Sequence, residues 1–297
     1  MSLSQHKFAV PLSIAKIIDQ VDEPVQAIFG EQALMIDSVA SLGDEKKGAL
    51  VFCKAKGLKA KNLINSSLAT AILISPDINP GSMKEKCYLQ VADPARWFVR
   101  ALTTLFPNPS HQKENIHPSA VIEHGAIIGE GCLIGAGTFI GANVTLGAGC
   151  KIGPNCSLGV SGLAVAYEEN GTPLAFPHLG NVILGERVQV GANCVIVRGI
   201  LEDTRIDDNC QLGNMVNIGH NCIVEKNCWI STKALLCGSV TLNEGVMVGA
   251  NATLNNHITI GANANIGLGS VVTKSLANGQ SVFGVPAKSL PTMRSLK

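Results

Sequence analysis

Residues 206–236 read IDDNCQLGNMVNIGHNCIVEKNCWISTKALL, and an aliphatic side chain returns in them every six positions. The same spacing starts at Ile116 and runs, with two interruptions, to Val272. A period of six fits neither an amphipathic helix nor a simple alternating strand. It is typical of a triangular β-solenoid, in which each side of a coil contributes six residues. The aliphatic positions are Ile116, Ile122, Ile128, Ile134, Ile140, Leu146, Ile152, Leu158, Leu184, Val190, Ile196, Ile206, Leu212, Ile218, Val224, Ile230, Leu236, Leu242, Val248, Leu254, Ile260, Ile266 and Val272.

Three sides make a coil of 18 residues, and successive coils pair as parallel strands about 4.8 Å apart. The repeat therefore predicts a parallel β-helix of seven to eight coils over residues 113–273. We expect it to be left-handed, because hexapeptide-repeat proteins as a class coil in that sense. Residues 160–177 break the repeat and are predicted to loop out of it, a kind of loop that is more often functional than decorative. Residues 274–297 form a C-terminal tail.

The first 112 residues lack the six-residue spacing and are predicted to form a small α/β domain of nucleotide-binding type. Six lysines lie between residues 46 and 61, where they form either a solvated surface or a contact for phosphate or an acidic carrier. Turn-forming residues at 107–110 mark the linker to the solenoid. The predicted helices are Pro11–Val21, Gly57–Ser66 and Pro94–Phe106, and the predicted strands are Gln26–Phe29, Ala49–Phe52, Ala69–Ile74 and Cys87–Val91.

Composition narrows the class of protein. Hydrophobic residues make up 46% of the chain and aromatic residues only 4%, which favours a core of stacked aliphatic side chains. A net charge of +1 argues against a nucleic-acid partner. No apolar run approaches the roughly 18 residues that span a bilayer. The first ten residues do not resemble a secretory signal. We expect a cytoplasmic protein without stable membrane insertion.

Ten cysteines raise the alternatives of disulfides or a metal site. Seven of them lie four positions after a core aliphatic, in a slot that other hexads fill with Ala, Val or Thr. A free cysteine acts there as a small hydrophobic side chain. We therefore predict free thiols and no bound metal. The seven are Cys132, Cys150, Cys156, Cys194, Cys210, Cys222 and Cys228.

His220 is the main candidate for chemistry, because it should project outward near a corner of the coil. A neutral imidazole can accept a proton from an attacking nucleophile. Gly238 lies 18 residues on, one coil above, where its N–H could stabilise an oxyanion. His257 and Asn214 are expected to complete a polar patch on the same edge. His178 either lines this site or only caps the return of the chain to the coil.

At this point the sequence resembles the UDP-3-O-(3-hydroxyacyl)glucosamine N-acyltransferases of lipid A synthesis. The resemblance covers nearly the whole chain. It rests on SVASLGDEKKGALVFCKAKG at 38–57, IHPSAVIEHGAIIG at 116–129, FPHLGNVILGERVQVGAN at 176–193, RGILEDT at 198–204 and NMVNIGHNCIV at 214–224. The resemblance implies that His220 is the catalytic histidine and His257 a second active-site histidine. It also gives Asn214 to the site, and Phe52 to the stacking of uracil.

Three features depart from that family. Leu58 stands where the family has a second stacking aromatic, and Gly213 stands where it usually has Asp. The extended C-terminal helix that helps to receive acyl carrier protein is missing. The tail instead resembles that of acetyl-CoA-dependent hexapeptide transferases, in which such a segment lies against CoA. This resemblance implies a role in CoA binding for Gly284, Pro286 and Lys288.

Together these features predict an N-acyltransferase that acts on a nucleotide-linked amino sugar in bacterial lipopolysaccharide or surface-glycan synthesis. His220 is its general base, and no cofactor is permanently bound. A thioester supplies the acyl group, with acetyl-CoA slightly favoured over acyl carrier protein. A flat-sided solenoid needs a second wall for its site, so we expect a homotrimer. Two alternatives remain. One is 3-hydroxyacyl transfer from acyl carrier protein to UDP-3-O-acylglucosamine, and the other is a non-catalytic binding solenoid.

Overall fold

The computed structural model describes residues 6–80, 85–106 and 115–284. The chain divides into two compact units, Met1–Ser110 and His111–Lys297. Within the described residues, every helix is too short or too polar to cross a membrane. Each unit has its own hydrophobic core.

The first unit is a six-stranded sheet with three helices. Its strand order is β1-β3-β4-β5-β6-β2, with β3, β4, β5 and β6 parallel and the two edge strands antiparallel. The elements are β1 (His6–Ser13), α1 (Ile14–Gln20), β2 (Ala27–Phe29), β3 (Met35–Val39), β4 (Ala49–Phe52), α2 (Gly57–Ser66), β5 (Ala71–Ile74), β6 (Cys87–Gln90) and α3 (Pro94–Leu105).

Most elements of this unit agree with the sequence prediction, but two strands were missed. β1 and β3 alternate less regularly than the buried strands, and they pair across a bulge. The predicted helix at Pro11–Val21 was placed too early, because residues 11–13 belong to β1 and the helix begins at Ile14. The Ser13 hydroxyl accepts a hydrogen bond from the Lys16 N–H and so caps this helix.

The second unit is a left-handed parallel β-helix of eight coils. Face one contains β9, β12, β17, β20, β23, β26, β29 and β31; face two contains β7, β10, β13, β18, β21, β24, β27 and β30; face three contains β8, β11, β16, β19, β22, β25 and β28. In chain order the strands are β7 (Val121–Ile122), β8 (Ile127–Ile128), β9 (Leu133–Ile134), β10 (Phe139–Ile140), β11 (Val144–Leu146), β12 (Lys151–Ile152), β13 (Ser157–Val160), β14 (Val165–Tyr167), β15 (Pro173–Ala175), β16 (Val182–Leu184), β17 (Gln189–Val190), β18 (Val195–Val197), β19 (Thr204–Ile206), β20 (Gln211–Leu212), β21 (Asn217–Ile218), β22 (Ile223–Val224), β23 (Trp229–Ile230), β24 (Leu235–Leu236), β25 (Thr241–Leu242), β26 (Met247–Val248), β27 (Thr253–Leu254), β28 (Thr259–Ile260), β29 (Asn265–Ile266), β30 (Val271–Val272) and β31 (Ser281–Val282).

The predicted aliphatic positions stack inside this coil and form its core. The cysteines of the predicted slot are buried beside them, and all ten cysteines of the chain are unpaired. Their thiols donate to backbone carbonyls, as Cys222 does to Cys237 at 3.1 Å and Cys228 to Asn243 at 3.2 Å. Burial raises the pKa of Cys222 to about 12.

The corners of the coil require left-handed backbone. Twelve residues other than glycine have φ between 54° and 62°, and seven of these are asparagines. Asparagine tolerates this region better than most residues because its short amide bonds locally. Asn209 and Asn227 illustrate the result, since their amides are joined by a hydrogen bond of 3.2 Å between adjacent coils.

Two irregularities interrupt the 18-residue coil, and both connect face two to face three. The register pairs Ile152 with Val190 and Val190 with Leu212, so these coils advance by 38 and 22 residues. The longer coil contains an antiparallel hairpin of β14 and β15. The solenoid also continues past its predicted end at residue 273, because β31 pairs with β29 and Leu276 bridges Ile260.

Candidate active site

The main candidate residues lie on one corner of the solenoid, which we call the histidine corner. It comprises residues 161–181, 198–203, 219–222, 237–240 and 255–258, all of which lead from face two to face three. Hydrogen bonds run up this corner from the Ser239 N–H to the His220 carbonyl at 2.8 Å, and from the His257 N–H to the Gly238 carbonyl at 3.1 Å.

The imidazole of His220 packs directly on Gly238. A Cβ placed on Gly238 would lie within 3.0 Å of Cε1, Nε2 and Nδ1 of His220. The backbone of this slot does not itself require glycine, because φ is not positive there and Ala142, Ala192 and Ala262 occupy the same slot elsewhere. Glycine therefore serves at 238 to make room for the ring of His220.

The tautomer of His220 is fixed by Asn221. Nδ1 of His220 lies 2.9 Å from Oδ1 of Asn221, which also accepts the Ile200 N–H at 3.1 Å. Nδ2 of Asn221 donates to the carbonyl and to the carboxylate of Glu202, each at 3.2 Å. Because Ile200 N–H can only donate and the Glu202 carbonyl can only accept, the amide orientation is determined. His220 therefore carries its proton on Nδ1 and keeps a free lone pair on Nε2.

The Gly238 N–H is available to a ligand. At five other corners, the N–H in the same slot donates to a side-chain oxygen from a neighbouring coil; the donors are Ala142, Glu186, Ala192, Glu244 and Ala262. The Gly238 N–H has no such acceptor among the described residues. A free N–H beside a neutral imidazole is the arrangement that acyl transfer needs, since one group takes a proton and the other stabilises an oxyanion.

His178 reaches this corner from the inserted segment. Its ring lies 5.7 Å from the ring of His220, at an interplanar angle of 74°. Only 5% of the residue is exposed, so it offers no open surface for the substrate contact that the sequence analysis allowed. The structure thus brings His178 to the site but behind His220.

His257 and Asn214 occupy different positions from each other. His257 is exposed on the histidine corner, in the left-handed slot that Asn221 occupies two coils earlier, about 10 Å away along the axis. Asn214 lies on the corner between faces one and two, where its Oδ1 caps the Ala192 N–H at 2.8 Å. The expected single patch of His220, Gly238, His257 and Asn214 is therefore wrong for Asn214 within one chain.

A separate pocket lies in the first unit, where strand β4 ends and helix α2 follows. It has a volume of about 480 Å³ and contains Phe52 in its lining. The ring of Phe52 packs on Phe98 with centroids 4.8 Å apart, and Lys54 Nζ lies 5.5 Å from the Phe52 centroid. Lys59 also lines the pocket. Leu58 is largely exposed and is not among the lining residues.

The C-terminal segment is described only as far as Gly284. A Cβ on Gly284 would lie 3.2 Å from the Gly269 carbonyl, so the segment closely approaches the coil below. Phe283 rests on Gly267 and is largely exposed. Pro286 and Lys288, the other expected CoA contacts, lie outside the described residues. Among the described residues, no three His, Cys, Asp or Glu side chains converge as metal ligands.

Comparison with known proteins places the chain in a family. Residues 115–142 and 132–160 match the family "Bacterial transferase hexapeptide (six repeats)". A UDP-3-O-acylglucosamine N-acyltransferase of Albidiferax ferrireducens is 35% identical over 267 residues, which are 83% of this chain and 80% of the relative. The chain belongs to the UDP-3-O-acylglucosamine N-acyltransferase family. The sequence resemblance is thereby confirmed.

Other similarities are more local. A UDP-3-O-acylglucosamine N-acyltransferase of a Caulobacter species is 35% identical over 114 residues, so the chain spans about a third (34%) of that relative and 38% of its own length is matched. Among solved structures, a UDP-N-acetylglucosamine O-acyltransferase of Moraxella catarrhalis gives a TM-score of 0.45 at 22% identity, covering 59% of this chain and 73% of that one.

The sequence analysis missed Asn221 and Thr204. Thr204 is fully buried, and its hydroxyl accepts the Asn221 N–H at 2.9 Å. Asn221 looked like one more corner asparagine, and only its position directly after His220 distinguishes it from the others. Its partners come from the 22-residue coil, whose folding the six-residue period does not describe.

Proposed function

We propose that this chain transfers an acyl group from the thioester of acyl carrier protein to the amino group of UDP-3-O-acylglucosamine, as a step of lipid A synthesis in the bacterial cytoplasm. The observation that carries this proposal is the pairing of a base with an oxyanion donor at one corner. Nε2 of His220 has a free lone pair, and it lies against Gly238, whose N–H has no acceptor among the described residues.

The geometry suggests the following sequence of steps. The acceptor amine attacks the thioester carbonyl, and Nε2 of His220 takes the proton that the amine loses. The Gly238 N–H donates to the oxyanion of the tetrahedral intermediate. As the intermediate collapses, the C–S bond breaks and the thiolate receives the proton from Nε2. An amide and a free thiol result, and the imidazole returns to its starting tautomer. The hydrogen bond to Asn221 stabilises the transient imidazolium.

The identity of the donor follows from the family. The sequence analysis favoured acetyl-CoA because of the C-terminal segment, but the relatives support its alternative, because their names specify acylation of UDP-3-O-acylglucosamine. The contacts of Phe283 and Gly284 with the last coils are also those of a segment that covers the end of a solenoid. We therefore propose a carrier-protein thioester, with acyl-CoA as the competing donor.

The pocket at Phe52 is proposed to hold the uridine of the acceptor. An aromatic ring backed by Phe98 offers a flat apolar surface to a base, and Lys54 and Lys59 can meet phosphate as point charges. Exposed Leu58 cannot supply a second aromatic surface, so stacking should be one-sided. Isothermal titration with UMP and UDP, on the wild type and on Phe52→Ala, measures both contributions.

We also propose a homotrimer. The histidine corner projects from a convex solenoid, so a second copy is needed to enclose a substrate there. Asn214, which the family resemblance gives to the site, lies on a different corner from His220. It can reach a substrate at His220 only from a neighbouring copy. His257 is exposed on the same corner as His220 and can contact the substrate within one chain.

The decisive experiment compares His220→Ala with His124→Ala. His124 is exposed and occupies the same slot of the repeat on face two, following Ile122 as His220 follows Ile218, but the N–H above it on Ala142 is capped by Glu123. With 3-hydroxyacyl carrier protein and UDP-3-O-acylglucosamine, we expect kcat of His220→Ala to fall about 100- to 10,000-fold, and that of His124→Ala to stay unchanged.

Three results would contradict the proposal. Equal activity of His220→Ala and wild type would remove the assigned base. Turnover with acyl-CoA but not with the carrier protein would establish the donor that the C-terminal segment first suggested. Binding of UDP-linked sugars without any thiol release, from either donor, would favour a non-catalytic binding solenoid.

A further inference from the structure

The inserted segment ends with a buried histidine whose role is not explained by packing. His178 is 95% buried, and its Nδ1 lies 3.0 Å from the Phe176 carbonyl. Because a carbonyl can only accept, His178 carries its proton on Nδ1 and presents a lone pair on Nε2. This Nε2 is buried and has no hydrogen-bond partner among the described residues.

An unpaired buried nitrogen is unfavourable, and an aliphatic side chain would fill the same volume without that cost. The ring must therefore be retained for something other than core packing. Nε2 faces Gly162, where an added Cβ would lie 3.2 Å away, so the insertion itself closes the space on that side. The remaining neighbour with chemical function is His220, which His178 meets in an edge-to-face arrangement.

Three contacts then restrict the His220 ring. Asn221 holds Nδ1, Gly238 supports one part of the ring, and His178 packs at a steep angle against it. Asn221 alone leaves the imidazole free to tilt about its hydrogen bond, because a single bond defines a direction and not a plane. Packing on both sides removes this freedom and keeps Nε2 close to the Gly238 N–H.

We propose that His178 is a positioning residue, anchored to Phe176 by its Nδ1–H, that holds the imidazole of His220 against Gly238 through an edge-to-face ring contact. The inference rests on the proposed function of His220 as the general base. It gives the inserted segment a specific task, since residues 161–181 deliver this ring to the coil. His178 does not touch the substrate, and its effect passes through His220.

Two substitutions separate the ring contact from the loop anchor. His178→Phe keeps a flat ring but loses the bond to Phe176, whereas His178→Asn keeps a donor for Phe176 but loses the ring. If the ring positions His220, we expect His178→Asn to lower kcat about 10- to 100-fold with KM nearly unchanged. His178→Phe should keep kcat within about threefold, because edge-to-face packing does not need the nitrogens.

A second measurement does not depend on turnover. Ring-¹⁵N histidine spectra report the tautomer of His220, and a restrained ring should show protonated Nδ1 and unprotonated Nε2. We expect His178→Asn to move the His220 signals toward a mixture of tautomers, while His178→Phe leaves them in place. Circular dichroism melting of each variant controls for loss of fold.

Each outcome has one meaning. Unchanged kcat in His178→Asn, or an equal loss in both variants, overturns the ring contact, and a rise in KM would indicate contact with the substrate instead. If one variant does not fold, the other still decides, because the two expectations are opposite. If wild-type turnover proves independent of His220 while the spectra change as expected, the proposed function fails and the positioning contact stands.

Discussion

The ring of His220 occupies the space in which a side chain of residue 238 would otherwise lie. Three of its atoms come within 3.0 Å of the position that a Cβ on Gly238 would take. The two residues are one coil apart, and each limits what the other can be. The base and the oxyanion donor are therefore a single packing unit, and disturbing either one must displace the other.

Gly238→Ala should lower kcat at least as strongly as loss of an oxyanion donor, about 100-fold or more, because the added methyl pushes His220 away. The backbone accepts alanine in this slot at Ala142 and Ala192, so the destabilisation should come from the ring alone. A double-mutant cycle with His220→Ala tests this by urea unfolding. We expect Gly238→Ala to be destabilising in the wild type and close to neutral in His220→Ala; additive effects would show that the ring is not the cause.

Asn221→Gly should reduce kcat by about 10- to 100-fold, because the His220 ring loses the acceptor that fixes its tautomer. Glycine tolerates the φ of 58° at this position, so the backbone is not strained by the change. Asn251→Gly is the matched control, since Asn251 has a φ of 59° on another corner and is exposed. Steady-state kinetics of both variants make the comparison, and equal losses would point to general destabilisation.

If Asn214 acts from a neighbouring copy, two inactive variants should complement each other. His220→Ala and Asn214→Ala are co-expressed with different tags, and mixed trimers are purified through both. A mixed site with an intact His220 and an intact Asn214 arises by chance in about a quarter of cases in a shared interface. We expect activity near that fraction of wild type, whereas sites contained within single chains would give none above the parents.

Nine of the ten cysteines should resist alkylation in the folded protein, because only Cys237 is partly exposed. Iodoacetamide followed by intact mass analysis should add one label under native conditions and ten after unfolding without reductant. Early modification of Cys222 or Cys228 would contradict their burial in the coil. Fewer than ten labels on the unfolded chain would reveal a disulfide.

Stability should fall above pH 9. The thiol of Cys222 has an ordinary pKa of 9.0 and a folded pKa of about 12, because burial disfavours the thiolate. The folded state thus binds the proton more tightly, so the stabilising effect is complete below pH 9 and is lost as the pH rises toward 12. Urea midpoints at pH 8 and pH 10.5 measure this. Cys222→Val should lose less between these values, since Val240 fills the next position of the same stack.

The solenoid and its core could be predicted from the sequence because one spacing governs them. Every aliphatic position from Ile134 to Leu254 is buried, and the short helix at Gly57–Ser66 has the predicted bounds. The pairing of His220 with Gly238 followed from the same arithmetic, since they are one coil apart.

The remaining site contacts could not be predicted in this way. The coil that holds Ile200, Glu202 and Thr204 has 22 residues, so counting by 18 does not bring them to Asn221. His178 lies beyond a hairpin whose return path no period describes. Asn214 was assigned to the wrong corner because its distance from His220 along the chain, six residues, equals one side of the triangle.

The 38-residue and 22-residue coils both depart from the repeat between face two and face three, directly below His220. All other coils are interchangeable modules, joined only to the one above and the one below. Coils could therefore be gained or lost near either end during evolution without changing the distances among His178, Asn221 and His220. The site is defined by its position relative to this local break in symmetry, and homologous sites are best aligned from the break and not from the termini.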